Sequence, residues 1–493
     1  MSNVSGIIKS IQDIMRKDVG VDGDAQRISQ LVWMLFLKIV DDREEELELL
    51  DDNYVSPLPK HLRWRYWAAD PEGMTGEELS DFVNLQLFPT LKTKLNTRGE
   101  DGKRAQVIKN VFEDAYNYMK SGTLMRQVIN KICEIDFNAS EDRHLFGDIY
   151  EQILKDLQSA GNAGEFYTPR AVTQFMVDRV KPQLEELVLD PACGTGGFLT
   201  NVIDYKRNNF VKSPADEKKL QKTIFGVEKK TLPHMLCTTN MILHGIDTPI
   251  NIQHDNTLSR PLRDYKPKDR VNVIVTNPPF GGMEEDGIEQ NFPSAYRTRE
   301  TADLFLTLIM HLLKTDGRAA LVLPDGFLFG EGIKTRIKEK LFEECNLHSI
   351  VRLPNGVFNP YTGIKTNLLF FTKGKPTETV WYYEHPYPDG VKSYNKTKPM
   401  RFEEFKPEIS WWGNESDNFA ARVENEFAWK VSKEDIVARN YNLDIKNPHE
   451  AEQESHDPDE LLQKYKHQQE KIAGLHQQLK AILTEALTKN GDS

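Results

Sequence analysis

The amino-acid sequence predicts an α/β protein with a helical N-terminal domain, a mostly parallel sheet with helices, and a helical C-terminal tail. Before about residue 160, apolar residues recur at the three- and four-residue spacing of helices. From about residue 188, short apolar runs alternate with helical patterns, which is typical of parallel α/β sheets. About the last 40 residues return to the helical spacing. A chain of 493 residues is too long for one compact core, so several domains are expected.

The helical spacing of the N-terminal region is clearest in three segments, which are Ile7–Met15, Ile28–Val40 and Leu145–Leu157. Gly161 and Gly164 then interrupt the pattern, because glycine is a poor helix former. We therefore predict a helical N-terminal domain over residues 1–160.

Six short apolar runs predict the strands of the sheet, at residues 187–189, 224–227, 271–275, 319–323, 350–351 and 368–371. They predict a sheet domain over residues 161–375. Residues 376–450 are rich in Tyr, Trp, Pro and charge without a clean period, and we expect them to extend the same core. Residues 451–493 are predicted to form a linker and a helix.

Composition excludes several classes of protein. Hydrophobic residues make up 39% and charged residues 28% of the chain, and no segment approaches the ~20 apolar residues of a membrane span. The N-terminus lacks the basic and apolar regions of a signal peptide. The four cysteines form no CxxC pair, so we expect no metal site, no disulfide framework and a cytoplasmic location.

The first motif with chemical meaning is DPACGTGGF, which starts at Asp190, follows an apolar strand and opens a helix. Its glycines allow a tight turn and let the backbone approach a ligand. The motif lacks the Gly-Lys-Ser/Thr of a phosphate-binding loop and the GxGxxG spacing of dinucleotide-binding proteins. A ligand-binding turn and a merely structural turn both remain open for this motif alone.

The second motif is Asn277-Pro278-Pro279-Phe280, directly after the predicted strand at 271–275. The two prolines remove N–H donors and leave carbonyl acceptors, to which Asn277 adds its side-chain carbonyl. Acceptors on both N–H bonds of a flat amine, such as the exocyclic amine of adenine, stabilise the positive charge that develops when the amine attacks. Phe280 can stack on the ring. A proline-rich strand exit with a core phenylalanine is the alternative.

Both motifs lie at the carboxyl ends of predicted parallel strands, where doubly wound folds place their ligands. One motif would hold a cofactor and the other a reactive amine.

With these motifs the chain resembles the amino-methyltransferases, and more closely the modification subunits of type I restriction-modification systems. The resemblance covers most of the chain. Its markers are GEFYTPR from Gly164, DPACGTGGFL from Asp190, NPPFG from Asn277, LPDG from Leu323, RLP from Arg352 and KTNLLFF from Lys365. Their order is similar to the gamma arrangement, and NPPF is similar to the version that acts on adenine N6.

The resemblance implies a Rossmann-like, S-adenosylmethionine-dependent methyltransferase core as the catalytic domain, with roles for matching residues. Asn277, Pro278, Pro279 and Phe280 would be catalytic. The methionine part of S-adenosylmethionine would lie against Glu165, Phe166, Tyr167, Thr168, Pro169 and Arg170. Its amino-acid moiety would be lined by Asp190, Gly194, Thr195, Gly196 and Gly197.

Three further positions are less specific. Glu228 follows a predicted strand, where a carboxylate can accept both ribose hydroxyls, although an exposed Glu is equally compatible. The resemblance places Asp255 near the adenine of the cofactor, with His254 and Asn256 as alternatives. Phe358 is a candidate second stacking ring, but a buried core ring is the favoured interpretation.

The tail helix has a heptad pattern of about four repeats, formed by Leu461, Tyr465, Ile472, Leu475, Leu479, Ile482 and Ala486. It fits either a helix packed on its own domain or a helix that docks on another chain. The resemblance favours docking on a specificity subunit, and implies a second copy of the modification subunit, a restriction subunit and double-stranded DNA as further partners.

The net charge of −12 and the acidic stretch Asp41–Asp52 are unusual for a protein that grips DNA alone. An acidic surface that promotes solubility is one interpretation. A partner that supplies most of the DNA contacts is the other.

The predicted function is adenine-N6 methylation of specific DNA sites together with a specificity subunit, which protects host DNA. A stand-alone DNA methyltransferase, a protein glutamine methyltransferase and a non-catalytic assembly subunit are the alternatives. The segment 376–450, which is not basic, argues against a stand-alone DNA methyltransferase. The helical N-terminus argues against a protein glutamine methyltransferase, and the intact motifs argue against a non-catalytic subunit.

Overall fold

The computed structural model describes residues 4–99, 102–137, 168–279, 281–359, 362–395 and 398–449, together with single positions of the tail between 465 and 480. The chain divides into two compact units, residues 1–446 and residues 447–493. No helix in the described part of the chain is both long enough and apolar enough to cross a bilayer.

The helices of the first unit fall into an N-terminal group and a group that accompanies the sheet. The N-terminal group is α1 (Val4–Met15), α2 (Asp24–Leu50), α3 (Trp64–Trp67), α4 (Gly76–Asp81), α5 (Gly102–Phe112) and α6 (Gly122–Cys133), with wider helical turns at Phe82–Leu87 and Thr90–Lys94. The second group is α7 (Arg170–Val180), α8 (Gly197–Phe210), α9 (Pro214–Leu220), α10 (Thr231–Leu243), α11 (Thr301–Leu312), α12 (Asp325–Phe329), α13 (Ile333–Glu344), α14 (Lys406–Trp411) and α15 (Lys433–Ala438).

Nine strands form one mixed sheet in the order β3-β2-β1-β4-β5-β7-β6-β8-β9. They are β1 (Val188–Asp190), β2 (Ile224–Glu228), β3 (Ile252–His254), β4 (Val271–Thr276), β5 (Leu313–Pro324), β6 (Cys345–Arg352), β7 (Thr366–Lys373), β8 (Thr379–Glu384) and β9 (Ala428–Ser432). The first five positions of the sheet are parallel, and β7 runs antiparallel to both β5 and β6. The predicted fold class, a helical N-terminal region followed by a mostly parallel α/β core, is confirmed.

All six predicted strands are present, and three strands were not predicted. β3 has only three residues, too few to show a period. β8 and β9 pair antiparallel to each other, and β8 pairs parallel to β6. They lie within residues 376–450 and add a sheet edge to the core.

Two hydrophobic cores occupy the first unit. One lies in the N-terminal helices, where Phe88 packs edge-on against Trp33 and Phe112, with ring centroids 5.1 and 5.3 Å apart. The other surrounds the sheet and begins at Ala171. The predicted helices Ile7–Met15 and Ile28–Val40 lie within α1 and α2, whereas the predicted helix Leu145–Leu157 lies outside the described residues.

The acidic stretch at the end of α2 is only partly a surface feature. Asp41, Asp42 and Glu44 are buried. Asp41 accepts a hydrogen bond from Nε of Arg65 at 3.0 Å, and Asp42 pairs with Lys38. Burial outweighs this lysine and raises the pKa of Asp42 to about 6. The interpretation of the stretch as a plain solubilising surface is therefore wrong for these three residues, which form an internal polar network.

Helix α10 belongs to both cores of the first unit. Met235 and Leu236 are buried in the N-terminal core, whereas Cys237 and Met241 are buried in the core around the sheet. Because α10 follows β2 directly, the helical N-terminal region packs against the element that leaves the carboxyl end of this strand.

In the second unit, the described tail residues Tyr465, Ile472 and Leu479 are helical and exposed, at intervals of seven residues. The remaining positions of the predicted heptad pattern lie outside the described residues.

Candidate active site

The turn after β1 takes its shape from two glycines with left-handed backbone. Gly194 has φ +53° and Gly196 has φ +87°, conformations that side chains disfavour. A Cβ at Gly196 would lie 2.9 Å from Sγ of Cys237, so this position is also closed by α10. Helix α8 begins at Gly197, and from α10 the side-chain amide of Asn240 donates to the Thr195 carbonyl at 2.9 Å.

Asp190 ends β1 below this turn and is almost fully buried. Its Oδ1 accepts a hydrogen bond from the Ala192 N–H at 3.2 Å. Burial raises the pKa of this carboxyl to about 7, because the charged form loses its hydration. The carboxylate is therefore poised to change its charge near neutral pH, and a cationic ligand would favour the charged form.

Glu228 lies at the end of β2 and joins the turn directly. Its Oε2 accepts a hydrogen bond from the Gly194 N–H at 2.9 Å, and its Oε1 accepts one from the Lys230 N–H at 2.7 Å. Each carboxylate oxygen can accept more than one hydrogen bond.

Asp255 follows β3 and lies beside Glu228. Its N–H donates to the Glu228 carbonyl at 3.0 Å, and its side chain is exposed. Two residues further on, the buried Thr257 donates from Oγ1 to the Pro191 carbonyl at 2.6 Å. The structure thus brings the predicted residues after β1, β2 and β3 together at one edge of the sheet.

Asn277 follows β4 at the same edge. Its amide nitrogen donates to Oγ1 of Thr168 at 2.9 Å. Its carbonyl oxygen Oδ1 is buried and has no hydrogen-bond partner among the described residues. A buried acceptor without a partner is costly, which points to a donor that a ligand supplies. Pro278 is buried and Pro279 is exposed, whereas Phe280 lies outside the described residues.

The predicted upstream element is described only in part, because Glu165, Phe166 and Tyr167 lie outside the described residues. Thr168 contacts Asn277, as above. Pro169 precedes α7, and its carbonyl accepts the N–H of Val172 at 2.9 Å. Arg170 is the first residue of α7 and is exposed.

Sequence reasoning did not find the supports that α10 gives to the turn. Asn240 and Cys237 carry no motif, and their spacing predicts only a helix. Phe358 is buried in the core around the sheet, which agrees with the favoured interpretation of this ring as a core residue.

The residues present fit an S-adenosylmethionine molecule. A Cβ built at Gly194 or Gly197 would meet no atom of the described residues within 4 Å, so these residues leave space beside the turn. Acidic side chains at Asp190 and Glu228 suit an ammonium group and ribose hydroxyls, respectively. The described residues contain no cluster of His, Cys, Asp and Glu that could hold a metal ion.

Comparison with known proteins agrees with this site. Residues 141–457 match the family model of the N-6 DNA methylases, and residues 5–132 match that of the HsdM N-terminal domain. The fold and the family define a DNA adenine methyltransferase that uses S-adenosylmethionine.

Among curated proteins, the methylase subunit of the type I restriction enzyme EcoEI from Escherichia coli is 66% identical over 488 residues, which cover 99% of each chain. The methylase subunit of EcoKI from the same species is 28% identical and covers 83% of this chain and 76% of its own. The chain belongs to the methylase subunits of type I restriction enzymes.

Solved structures show the same relationship. A protein described as a modification subunit of a type I restriction enzyme, from Vibrio vulnificus, is 44% identical with a TM-score of 0.80, and the match covers 90% of this chain and 96% of that one. A chain from a structural study of type I restriction-modification assembly is 34% identical with a TM-score of 0.78, and the match covers 98% and 99%.

Proposed function

We propose that this chain transfers a methyl group from S-adenosylmethionine to N6 of adenine at a specific DNA sequence, as the modification subunit of a type I restriction-modification complex that protects host DNA. The observation that carries the chemistry is the buried carbonyl oxygen of Asn277, which has no partner among the described residues. The amino group of adenine is the matching donor.

Asn277 acts on the amine. Its Oδ1 accepts one N–H of the adenine amino group, and the Pro278 carbonyl is positioned in the chain to accept the other. As the nitrogen attacks, positive charge develops on it, and these two dipoles stabilise that charge. Nδ2 of Asn277 donates to Oγ1 of Thr168, and Oδ1 is the atom of this amide that is left to accept from the adenine amine. Phe280 would stack on the flat face of the base.

The turn after β1 and the two acidic residues hold the cofactor, which supplies an activated methyl group when bound. Asp190 would attract the α-ammonium group, and the backbone at Gly194, Thr195, Gly196 and Gly197 would line the amino-acid moiety. Glu228 would accept the ribose hydroxyls, and Asp255 would contact the adenine of the cofactor. Glu165, Phe166, Tyr167, Thr168, Pro169 and Arg170 are the residues proposed to contact the methionine part of the cofactor.

The chain acts with a specificity subunit, a second copy of itself and a restriction subunit on double-stranded DNA in the cytoplasm. Its net charge of −12 supports the proposal that the specificity subunit supplies much of the binding to DNA phosphates. The tail helix is the proposed docking element for the specificity subunit. Tyr465, Ile472 and Leu479 repeat every seven residues and are 60%, 49% and 60% exposed, as expected for a stripe that another helix covers.

Methylation mapping tests the proposed function. DNA from cells that express this chain with the specificity subunit should carry N6-methyladenine at one recognition sequence, and cells with either subunit alone should not. Methylation by this chain alone would support a stand-alone enzyme instead. Absence of N6-methyladenine in all three cultures would contradict adenine methylation.

Co-purification tests the tail. Deletion of residues 456–493 should abolish elution with the specificity subunit while S-adenosylmethionine binding persists. A finer variant replaces Tyr465, Ile472 and Leu479 together by Ala, and its matched control replaces the exposed polar neighbours Gln469, His476 and Lys480 by Ala. Equal retention of the partner by both triple variants would show that the stripe is not the docking surface.

A further inference from the structure

Three large apolar side chains are exposed at the sheet edge that carries Asn277. Met283 is 68% exposed, Phe329 51% and Ile364 50%. Met283 follows β4, and Phe329 ends α12, which follows β5. Ile364 precedes β7, whose first residue Thr366 pairs with the last residue of β5. The topology therefore puts all three at the carboxyl ends of β4 and β5.

Contacts connect the segments that carry Met283 and Phe329. Met283 forms an isolated bridge with Glu300, whose carboxylate pairs with Lys334. The side chain of Lys334 fills the space beside Gly330, the neighbour of Phe329, since a Cβ at Gly330 would lie 2.1 Å from its Cδ. The two apolar side chains thus belong to segments that are joined through one lysine.

The segment of Ile364 is joined to α12 as well. The Asp325 N–H donates to the carbonyl of Lys365 at 3.1 Å, and the amide of Asn367 donates to Oδ1 of Asp325 at 2.7 Å. These bonds tie the start of α12 to the residues that follow Ile364.

Buried neighbours and two hydrogen bonds hold the backbone on both sides of Phe329. Phe327 and Leu328 are buried, so the helix is anchored while Phe329 points outward. The buried Lys338 donates from Nζ to the carbonyls of Leu328 at 2.8 Å and Gly330 at 2.9 Å, on both sides of Phe329. Burial of an ammonium group is costly. Here the buried ammonium group of Lys338 holds the turn that exposes the ring of Phe329.

We propose that Phe329 enters the base stack of the DNA and fills the space that the target adenine leaves, while Met283 and Ile364 contact the flanking nucleotides. The inference rests on the proposed function. An adenine inside a duplex cannot reach Asn277 until it has left the stack, and unstacking and unpairing cost free energy. In architectural proteins that bend DNA, apolar side chains inserted between bases are part of how the duplex is unstacked. A ring on a fixed backbone loses little entropy on insertion.

The test compares two DNA substrates with the full chain and its specificity subunit. One duplex carries the mapped sequence with the target adenine paired, and the other places an abasic site opposite the target, so that the base is already unpaired. Phe329→Ala should slow single-turnover methylation of the paired duplex by about tenfold or more and leave the abasic duplex close to the rate of the parent enzyme. On the paired duplex, the rate of Phe329→Leu should lie between those of Phe329→Ala and the parent enzyme.

Fluorescence of 2-aminopurine at the target position gives a second readout. Binding of the parent enzyme should raise the fluorescence, because the base leaves the stack, and Phe329→Ala should reduce this rise. The matched control is Val423→Ala, which removes a side chain that is 68% exposed beside Arg422, remote from Asn277 in the sheet order. It should change neither readout.

If Phe329→Ala lost rate equally on both duplexes, or lost no rate on the paired duplex, the proposal that Phe329 enters the base stack would be overturned. Failure of the proposed function looks different, because Asn277→Ala should lose methyl transfer on both duplexes. If Asn277→Ala remained active on both, the assignment of the reaction would fail whatever Phe329 does.

Discussion

The carboxyl edge of the sheet and the helical N-terminal region are stabilised by different interactions. In the N-terminal region, buried rings such as Trp33, Phe88 and Phe112 pack closely on one another. At the carboxyl edge, left-handed glycines and single hydrogen bonds set the geometry, and the Asn277 carbonyl oxygen is left without a partner among the described residues.

This difference predicts which substitutions should change activity and which should change stability. At the edge, the unpartnered Oδ1 of Asn277 belongs to a proposed ligand site, whereas the indole N–H of Trp33, which also has no partner among the described residues, is enclosed in the N-terminal core. Changes at the edge should therefore alter activity at constant stability, and changes in the N-terminal core should alter stability first. Helix α10 is the exception, because it packs in both cores and closes the turn at Gly196.

Asn277→Ala should have the largest effect. Loss of its carbonyl removes an acceptor for the developing charge, and we expect the rate of methyl transfer to fall by about 10²- to 10³-fold or more. S-adenosylmethionine affinity and the free energy of unfolding should change little, as calorimetry and denaturant unfolding can check. Asn209→Ala, at an exposed position of α8, is the matched control. A mutant rate near that of the parent enzyme would contradict the assigned role.

Gly196→Asp should abolish detectable binding of S-adenosylmethionine in calorimetry. The substitution places a Cβ 2.9 Å from Sγ of Cys237 at φ +87°, so the turn must distort. Gly99→Asp is the control, since Gly99 has φ +75° but open space around its Cβ and lies in the N-terminal region. Unchanged affinity in a folded Gly196→Asp protein would remove the turn from the cofactor site.

Phe112→Ala should destabilise the protein by about 3–5 kcal/mol, because it leaves a cavity between Phe36 and Phe88. Denaturant unfolding measures the change. Below the unfolding transition, methyl transfer by the folded fraction should remain within a few-fold of the parent rate. If Phe112→Ala lost activity with unchanged stability, the expectation that the N-terminal core affects stability first would be contradicted.

Asp190 should make S-adenosylmethionine binding depend on pH. Its pKa in the free protein is about 7, so the carboxylate is charged above this pH and protonated below it. Because the charged form attracts the ammonium group, affinity should be constant above pH 7 and fall up to about tenfold per pH unit below it. Asp190→Asn should bind more weakly with a flatter pH profile in calorimetry. Identical profiles for both proteins would assign the dependence to another group.

Arg43→Ala should have the smallest effect. Arg43 in α2 donates from Nη2 to Oδ1 of Asp247 at 2.6 Å, which joins the N-terminal helices to the loop after α10, and both side chains are partly exposed. We expect a loss of about 0–1 kcal/mol in unfolding free energy. Arg16→Ala, which removes an exposed pair with Asp13, should cost no more. A loss of several kcal/mol for Arg43→Ala would mean that this ion pair, rather than apolar packing, couples the regions.

The sequence by itself determined the fold class, the six main strands and the two motifs. These features depend on local chemistry, because apolar periodicity decides which face of an element is buried, and glycine and proline restrict the backbone wherever they occur. The sequence also indicated the positions of Glu228 and Asp255, since residues that follow parallel strands converge on one edge.

The tertiary structure alone decided which groups touch. The contact between Asn277 and Thr168 joins residues that are 109 positions apart, and no period in either segment encodes it. The same holds for Asn240 beside Thr195, for the burial of Asp41, Asp42 and Glu44, and for β8 and β9, which become strands by pairing with the edge of the sheet. Long-range packing sets the desolvation and the hydrogen-bond partners of a polar group, so its chemistry is fixed only once the chain has folded.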